Sequence, residues 1–273
     1  LLNHTRFWSP DNALVTPHDE ALVEHEFRGA RVSREKPPGT LRIISLGGSF
    51  AFGWPFVDDP SASYAAQLEK RLNARPPPGS KYFAFEVINA GIGGYTSFQG
   101  LAYFKTRLHR FDPDIVMFCF GANDSSNNHE ISIFTTDKEY YEEQARLHED
   151  RVRSWFVAAL NRLRLYALLE KLVFQAKKTM IEATPRVPPA DFRANLAELV
   201  RLSRRDDFRV VLLYEPYHEL KRLEVELESS PYFRAMRDIA RANPGRVHLV
   251  DTITFFHQRG AQSEQLFHDQ MHL

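Results

Sequence analysis

Leu41-Arg42-Ile43-Ile44-Ser45-Leu46-Gly47-Gly48 is the stretch on which the fold turns. A short apolar run closed by a glycine pair predicts a strand buried on both faces, the kind found in parallel sheets. Downstream, Tyr64, Leu68 and Leu72 recur at helical spacing until Pro76-Pro77-Pro78-Gly79 stops the helix. The same unit then recurs in kind. Phe83–Asn89 predicts a strand, Ser97–Arg110 a helix and, after the Asp112-Pro113 break, Asp114–Phe120 the most apolar strand of all. Residues 137–178 predict one or two long amphipathic helices carrying Trp155, Phe156, Leu160, Leu163, Tyr166, Leu168 and Leu169. Beyond Pro185, Pro188 and Pro189 come a helix over 190–205, a strand at Arg209–Tyr214, a helix at Tyr232–Ala242 and a strand at Val247–Val250. Upstream, residues 1–40 mix Phe7, Trp8, Pro10, Pro17 and Lys36-Pro37-Pro38-Gly39 without a sustained period, and predict an irregular arm.

Strands alternating with helices require crossover connections, so the expected fold is three-layer α/β/α around a parallel five-stranded sheet. The expected organisation is the 1–40 arm followed by one domain over 41–273, with a helical insertion at about 125–205. The chain holds 35 basic and 35 acidic residues, so no global field favours nucleic acid or an anionic membrane. No apolar run reaches the length of a bilayer span. A single cysteine, Cys119, excludes an intrachain disulfide.

Ligand sites in such sheets lie beyond the carboxyl ends of the strands, so the residues there carry the functional reading. The first strand is followed by Gly47-Gly48-Ser49-Phe50. Glycines let the backbone turn sharply and expose the hydroxyl, beside main-chain N–H groups that favour developing negative charge. A plain turn is the simpler reading of this piece, and the Lys-Ser/Thr ending of a phosphate loop is missing. The second strand is followed by Asn89-Ala90-Gly91-Ile92-Gly93-Gly94-Tyr95-Thr96, whose glycines point to close backbone approach, positive φ or a loose loop. The third is followed by Gly121-Ala122-Asn123-Asp124, where the Asn123 amide serves either an oxyanion or a local Asx turn. Of the eleven histidines, only His272 has an aspartate three residues before it. In a loop, that spacing lets Asp269 accept the imidazole Nδ1–H and turn Nε2 toward a serine. The nearest competitor is Glu215-Pro216-Tyr217-His218 after the fourth strand, and a surface ion pair is the simpler reading of both.

Taken in order, these four segments resemble the blocks of the SGNH (GDSL-like) hydrolase superfamily. Gly47-Gly48-Ser49 is similar to its nucleophile block, Gly94 matches the glycine of the second block, Gly121-Ala122-Asn123-Asp124 the third and Asp269-Gln270-Met271-His272 the last. The resemblance covers 41–273. One departure is Gly48, where the family often has aspartate. The resemblance implies a flavodoxin-like sheet and a serine esterase with Ser49 as nucleophile and His272 and Asp269 completing the triad. It further implies an oxyanion hole from the N–H groups of Ser49 and Gly94 and the amide of Asn123. No metal or organic cofactor is expected. Small acyl or acetyl esters, including those on carbohydrates, are the implied substrates.

Phe50, Phe52, Trp54 and Phe56 either line a pocket beside the nucleophile or pack in the core, and the 125–205 insertion serves as a lid or as extra core. Three other functions stay in view. An acyltransferase would use the same Ser49 and His272. A metal-dependent phosphoesterase would draw on Asn128-His129-Glu130 and on His268, Asp269 and His272, but needs more ligands at the strand ends. A non-catalytic module would keep the fold without the chemistry. The chain opens on Leu1 and stops one residue after His272, which suggests an exported or membrane-tethered parent with its N-terminal segment removed.

Overall fold

A computed structural model describes residues 26–28, 30–56, 58–127, 136–142, 184–215, 230–252 and 255. Five parallel strands form its centre: β3 (Thr40–Gly47), β4 (Ala84–Asn89), β5 (Ile115–Cys119), β6 (Arg209–Leu213) and β7 (Val247–Val250). They lie side by side in the order β4-β3-β5-β6-β7. The chain builds outward from β3 to β4, returns past β3 to β5, and then continues in one direction. The order therefore reverses between β3 and β5, the place where a doubly wound sheet opens a crevice at its carboxyl edge.

Register makes that edge level. Gly47 stands opposite Cys119, Cys119 opposite Leu213, and Leu213 opposite Val250. The segments leaving β3, β5, β6 and β7 thus start from one line, with Asn89 of β4 opposite Ser45 just below it.

Alternating side chains supply a core on each face. On one face Ile43, Val87, Met117, Cys119 and Leu213 are buried, and Tyr64, Leu68 and Leu72 of α2 (Tyr64–Ala74) pack against them. The other face carries Ile44, Leu46, Val116, Phe118, Val210 and Leu212, all nearly inaccessible. Over it lie α3 (Ser97–Thr106), α5 (Pro189–Arg205) and α6 (Pro231–Ala242), in contact with one another or with the strands. The Phe104 and Phe208 rings meet edge-on with centroids 5.2 Å apart, and Phe192 meets Tyr232 in the same way.

Two details depart from the expectation. The stretch before β3 is not wholly irregular, because β1 (Glu26–Phe27) and β2 (Ala30–Arg31) form a short antiparallel pair. After β3 a single helical turn, α1 (Ser49–Phe52), comes first, and Gly53 at φ 92° ends it before α2 begins. The chain divides into two compact units, one of Leu1–Asn123 with Pro189–Leu273 and the other of Asp124–Pro188. The helix at Pro189–Arg205 therefore belongs to the unit that contains the sheet. Within the second unit the Arg186 guanidinium meets the Asp137 carboxylate at 3.0 Å, both side chains buried. Main-chain bonds from Asp137 N–H to the Arg186 carbonyl and from Arg186 N–H to the Ser126 carbonyl accompany it. Most of the 137–178 helical prediction lies outside the described residues; 137–142 are helical. Among the described residues no helix is long and apolar enough to cross a membrane.

Candidate active site

Ser49 opens α1 immediately beyond the carboxyl end of β3, half-buried. Its carbonyl accepts the N–H groups of Gly53 and Trp54, both at 3.0 Å, which closes the turn. Gly47 has no room for a side chain, since a β-carbon there would stand 2.5 Å from the Cys119 carbonyl oxygen and 2.6 Å from the Ala51 β-carbon. Gly47, two residues before the serine, thus lets β3, β5 and α1 approach closely.

The glycine loop after β4 is fixed by a chain of bonds. Ala90 N–H donates to the Ser45 carbonyl and Ile92 N–H to the Gly47 carbonyl, extending the β3–β4 ladder past the strands. Gly91 N–H bonds the Asn89 side-chain oxygen at 3.0 Å. A β-carbon on Gly91 would stand 2.3 Å from the Phe52 nitrogen, so α1 sits directly on this loop. Gly94 takes φ 79°, in the left-handed region, which aims its peptide in a direction other residues rarely allow. A capping box then anchors the exit: Thr96 N–H donates to Gln99 Oε1 at 2.9 Å, with Thr96 and Gln99 both buried. Of the readings open for this loop, close approach holds at Gly91 and positive φ at Gly94.

Asn123 lies in α4 (Ala122–Ser125), just past β5. Its Nδ2 donates to the Tyr95 carbonyl at 3.0 Å, reaching 28 residues back in sequence to the neighbour of Gly94. That is a tertiary contact. The first three blocks therefore meet: Gly48 beside Ser49, Tyr95 beside Gly94, and the Asn123 amide between them. A β-carbon on Gly48 would lie 2.7 Å from Asn123 Nδ2 and 3.3 Å from the Tyr95 carbonyl oxygen.

Asp269 and His272 lie outside the described residues. β7 ends at Val250 on the same edge, and Thr252 just beyond it donates its hydroxyl to the Tyr214 carbonyl at 2.5 Å.

Sequence reasoning treated Glu215 as half of a surface ion pair, and here the structure differs. Glu215 is only 5% exposed, and its Oε2 accepts the Ala122 N–H at 3.1 Å. Its partner in that reading, His218, lies outside the described residues. The strand-end position after an apolar run was the available signal for Glu215; its burial depends on the turn after β5, the strand paired with β6, lying against it.

Beneath the Ser49 turn lies a buried polar group. The Tyr64 hydroxyl and the Ser45 hydroxyl are 2.7 Å apart. Burial pushes the Tyr64 hydroxyl well up, with Glu215 adding to that rise and the hydrogen bond to Ser45 opposing it. Burial also raises the Cys119 thiol well above its ordinary range, with Glu215 adding to it, which keeps the sulfur neutral and unreactive. Burial drives Tyr95 up to about 12.

The aromatics after Ser49 differ in their surroundings. Phe50 stacks on Tyr64 with centroids 5.4 Å apart and belongs to the core. Phe52 lies under the Arg28 guanidinium at 4.0 Å. Trp54 and Phe56 stay 37% and 48% exposed. Among the described residues no group of three His, Cys, Asp or Glu side chains is placed to hold a metal ion.

Residues 45–273 match the GDSL-like Lipase/Acylhydrolase family. No curated protein matches the chain. Among solved structures, LAE5, an alpha/beta hydrolase enzyme from the metagenome of Lake Arreo, Spain, aligns with TM-score 0.51 at 20% identity, covering 88% of this chain and 89% of its own. Axe2, an acetylxylan esterase from Geobacillus stearothermophilus, aligns with TM-score 0.50 at 18% identity, covering 85% and 86%. At these identities the structural likeness establishes the fold, and the family match, spanning most of the sequence, establishes the class. The chain belongs to the GDSL-like lipase/acylhydrolase family, the SGNH hydrolases, and is a serine ester hydrolase.

Proposed function

We propose that the chain hydrolyses carboxylic esters through an acyl-enzyme on Ser49, with small acyl or acetyl esters, including those borne by carbohydrates, as substrates. The observation that carries this reading is the meeting of the Ser49 turn, the Gly94 loop and the Asn123 amide at the crevice between β3 and β5. In the proposed reaction Ser49 Oγ attacks the ester carbonyl carbon while His272 Nε2 takes its proton. Asp269 holds the imidazole tautomer and stabilises the imidazolium. The tetrahedral oxyanion is held by the N–H groups of Ser49 and Gly94 and by the Asn123 side-chain amide. The C–O bond to the alcohol then breaks as His272 returns its proton, and water repeats the cycle on the acyl-enzyme.

Exposed Trp54 supports a substrate-facing role for that ring, since the main-chain N–H of Trp54 is bonded to the Ser49 carbonyl and the two residues are fixed together. The direct test follows acetate release from acetylated xylan and from p-nitrophenyl acetate, with Ser49→Ala as the control. Release by the wild type and loss in the variant is expected. An acyltransferase would instead pass the acyl group to an added alcohol in preference to water. The chemistry uses no metal, so activity should survive EDTA; loss with EDTA and return with a divalent ion would favour a metal-dependent phosphoesterase.

A further inference from the structure

We propose that Glu215 is a positioning residue: entering from the end of β6, its carboxylate fills the place of the side chain that Gly48 lacks and holds the Ala122–Asn123 turn against the Ser49 turn. Three observations carry this. First, Glu215 is buried two residues past β6, and the strand register brings that point level with the segments leaving β3 and β5. Second, its Oε2 accepts the N–H of Ala122, the residue next to Asn123. Third, its Oε1 lies 3.3 Å from the point where a β-carbon on residue 48 would stand, a point that Asn123 Nδ2 and the Tyr95 carbonyl oxygen also approach.

Gly48 has φ −82° and ψ −147°, so its φ does not itself call for glycine. Occupied volume does. In the family resemblance this position often carries aspartate; here that space is already taken by the Glu215 carboxylate and the Asn123 amide. A carboxylate at 48 and one at 215 would compete for the same N–H and repel each other in a buried place. One carboxylate delivered from another strand replaces the other. Losing it leaves the Ala122 N–H without its acceptor and loosens the turn that aims the Asn123 amide.

The effect on turnover rests on the proposed oxyanion role of Asn123, whereas the contact itself does not. Four variants separate the two: Glu215→Ala, Glu215→Gln, Gly48→Asp and the double variant Gly48→Asp/Glu215→Ala. Glu215→Ala should lower kcat about ten- to hundredfold with KM nearly unchanged, because a positioning defect appears in the transition state. Glu215→Gln keeps an oxygen acceptor and should recover most of that loss. Gly48→Asp alone should be impaired, and the double variant should exceed both single variants by about tenfold, the mark of two side chains competing for one place. Wild-type kcat in Glu215→Ala, or no recovery in the double variant, overturns the proposal. Amide exchange at Ala122 and a double-mutant cycle in urea midpoint read the same contact without activity. If wild type shows no ester turnover, the esterase assignment to Ser49 falls on its own. Slow exchange at Ala122 lost in Glu215→Ala, with non-additive 48/215 stability, would then still support the placement. Unchanged exchange or additive stability would overturn it.

Discussion

At the residue scale Asn123 ties two loops together through its bond to the Tyr95 carbonyl, and in the proposed mechanism the same amide meets the developing oxyanion. Removing one oxyanion donor typically costs about 2.7–4 kcal/mol in the transition state. Asn123→Ala should therefore lower kcat by roughly a hundredfold or more, with KM changed far less. Steady-state kinetics on p-nitrophenyl acetate check this, and wild-type turnover would remove Asn123 from the mechanism. Glycines show how much of such a site is legible in advance. Gly47 and Gly91 were recognisable as punctuation, but whether each serves φ or volume depends on atoms far away in sequence: the Cys119 carbonyl for one, α1 for the other.

Elements of the sheet were legible because each obeys one local rule throughout. β3, β4, β5, β6 and β7 fall within a residue or so of the apolar runs that announced them, and the Thr96–Gln99 capping box marks the start of α3 in the sequence itself. Arg42 was not legible. It sits in the middle of an apolar strand, wholly buried, its Nε on Glu86 at 2.5 Å and its Nη1 on the Phe111 carbonyl at 2.7 Å. Nη1 also donates to the Arg34 carbonyl, and Nη2 to those of Ser33 and Glu35, so it clasps the segment before β3. No periodicity announces a charge whose partners come from three places. A second buried pair supports a prediction in the Asp124–Pro188 unit. Arg186→Ala leaves Asp137 buried without its cation, and loss of one partner of a buried pair typically costs about 3–5 kcal/mol. Thermal denaturation should show a markedly less stable protein, and a change below about 0.5 kcal/mol would mean the pair is solvated in solution.

The whole molecule couples its stability to alkaline pH through groups that the fold keeps neutral. Burial raises Cys119, Tyr64, Tyr95 and Tyr103 above their ordinary values of 9.0 for the thiol and 10.0 for the phenols. In the unfolded chain these groups lose protons from about pH 9 upward while the folded chain still binds them. The stability they contribute is complete below that range and falls as pH rises through it, by about 1.4 kcal/mol per pH unit for each proton involved. Urea midpoints measured between pH 8 and 11 should decline, and Tyr64→Phe should decline less steeply above pH 10. A flat profile would contradict the burial of these side chains.

At this same scale the candidate site becomes understandable. Ser49, Gly94 and Asn123 are distant in sequence and converge because the strand order reverses between β3 and β5, so their order in the chain could suggest the site but only the sheet could bring its parts together. Glu215 was visible as a strand-end acid, but its contact with Ala122 was not, for the same reason. The central claim is that Ser49 is the nucleophile, and covalent labelling by a fluorophosphonate probe tests it most directly. The account expects one adduct per folded chain, located by mass spectrometry on the peptide containing Ser49 and absent in Ser49→Ala. A folded wild-type protein that takes up no label, or a Ser49→Ala variant that labels as well as wild type, would contradict it.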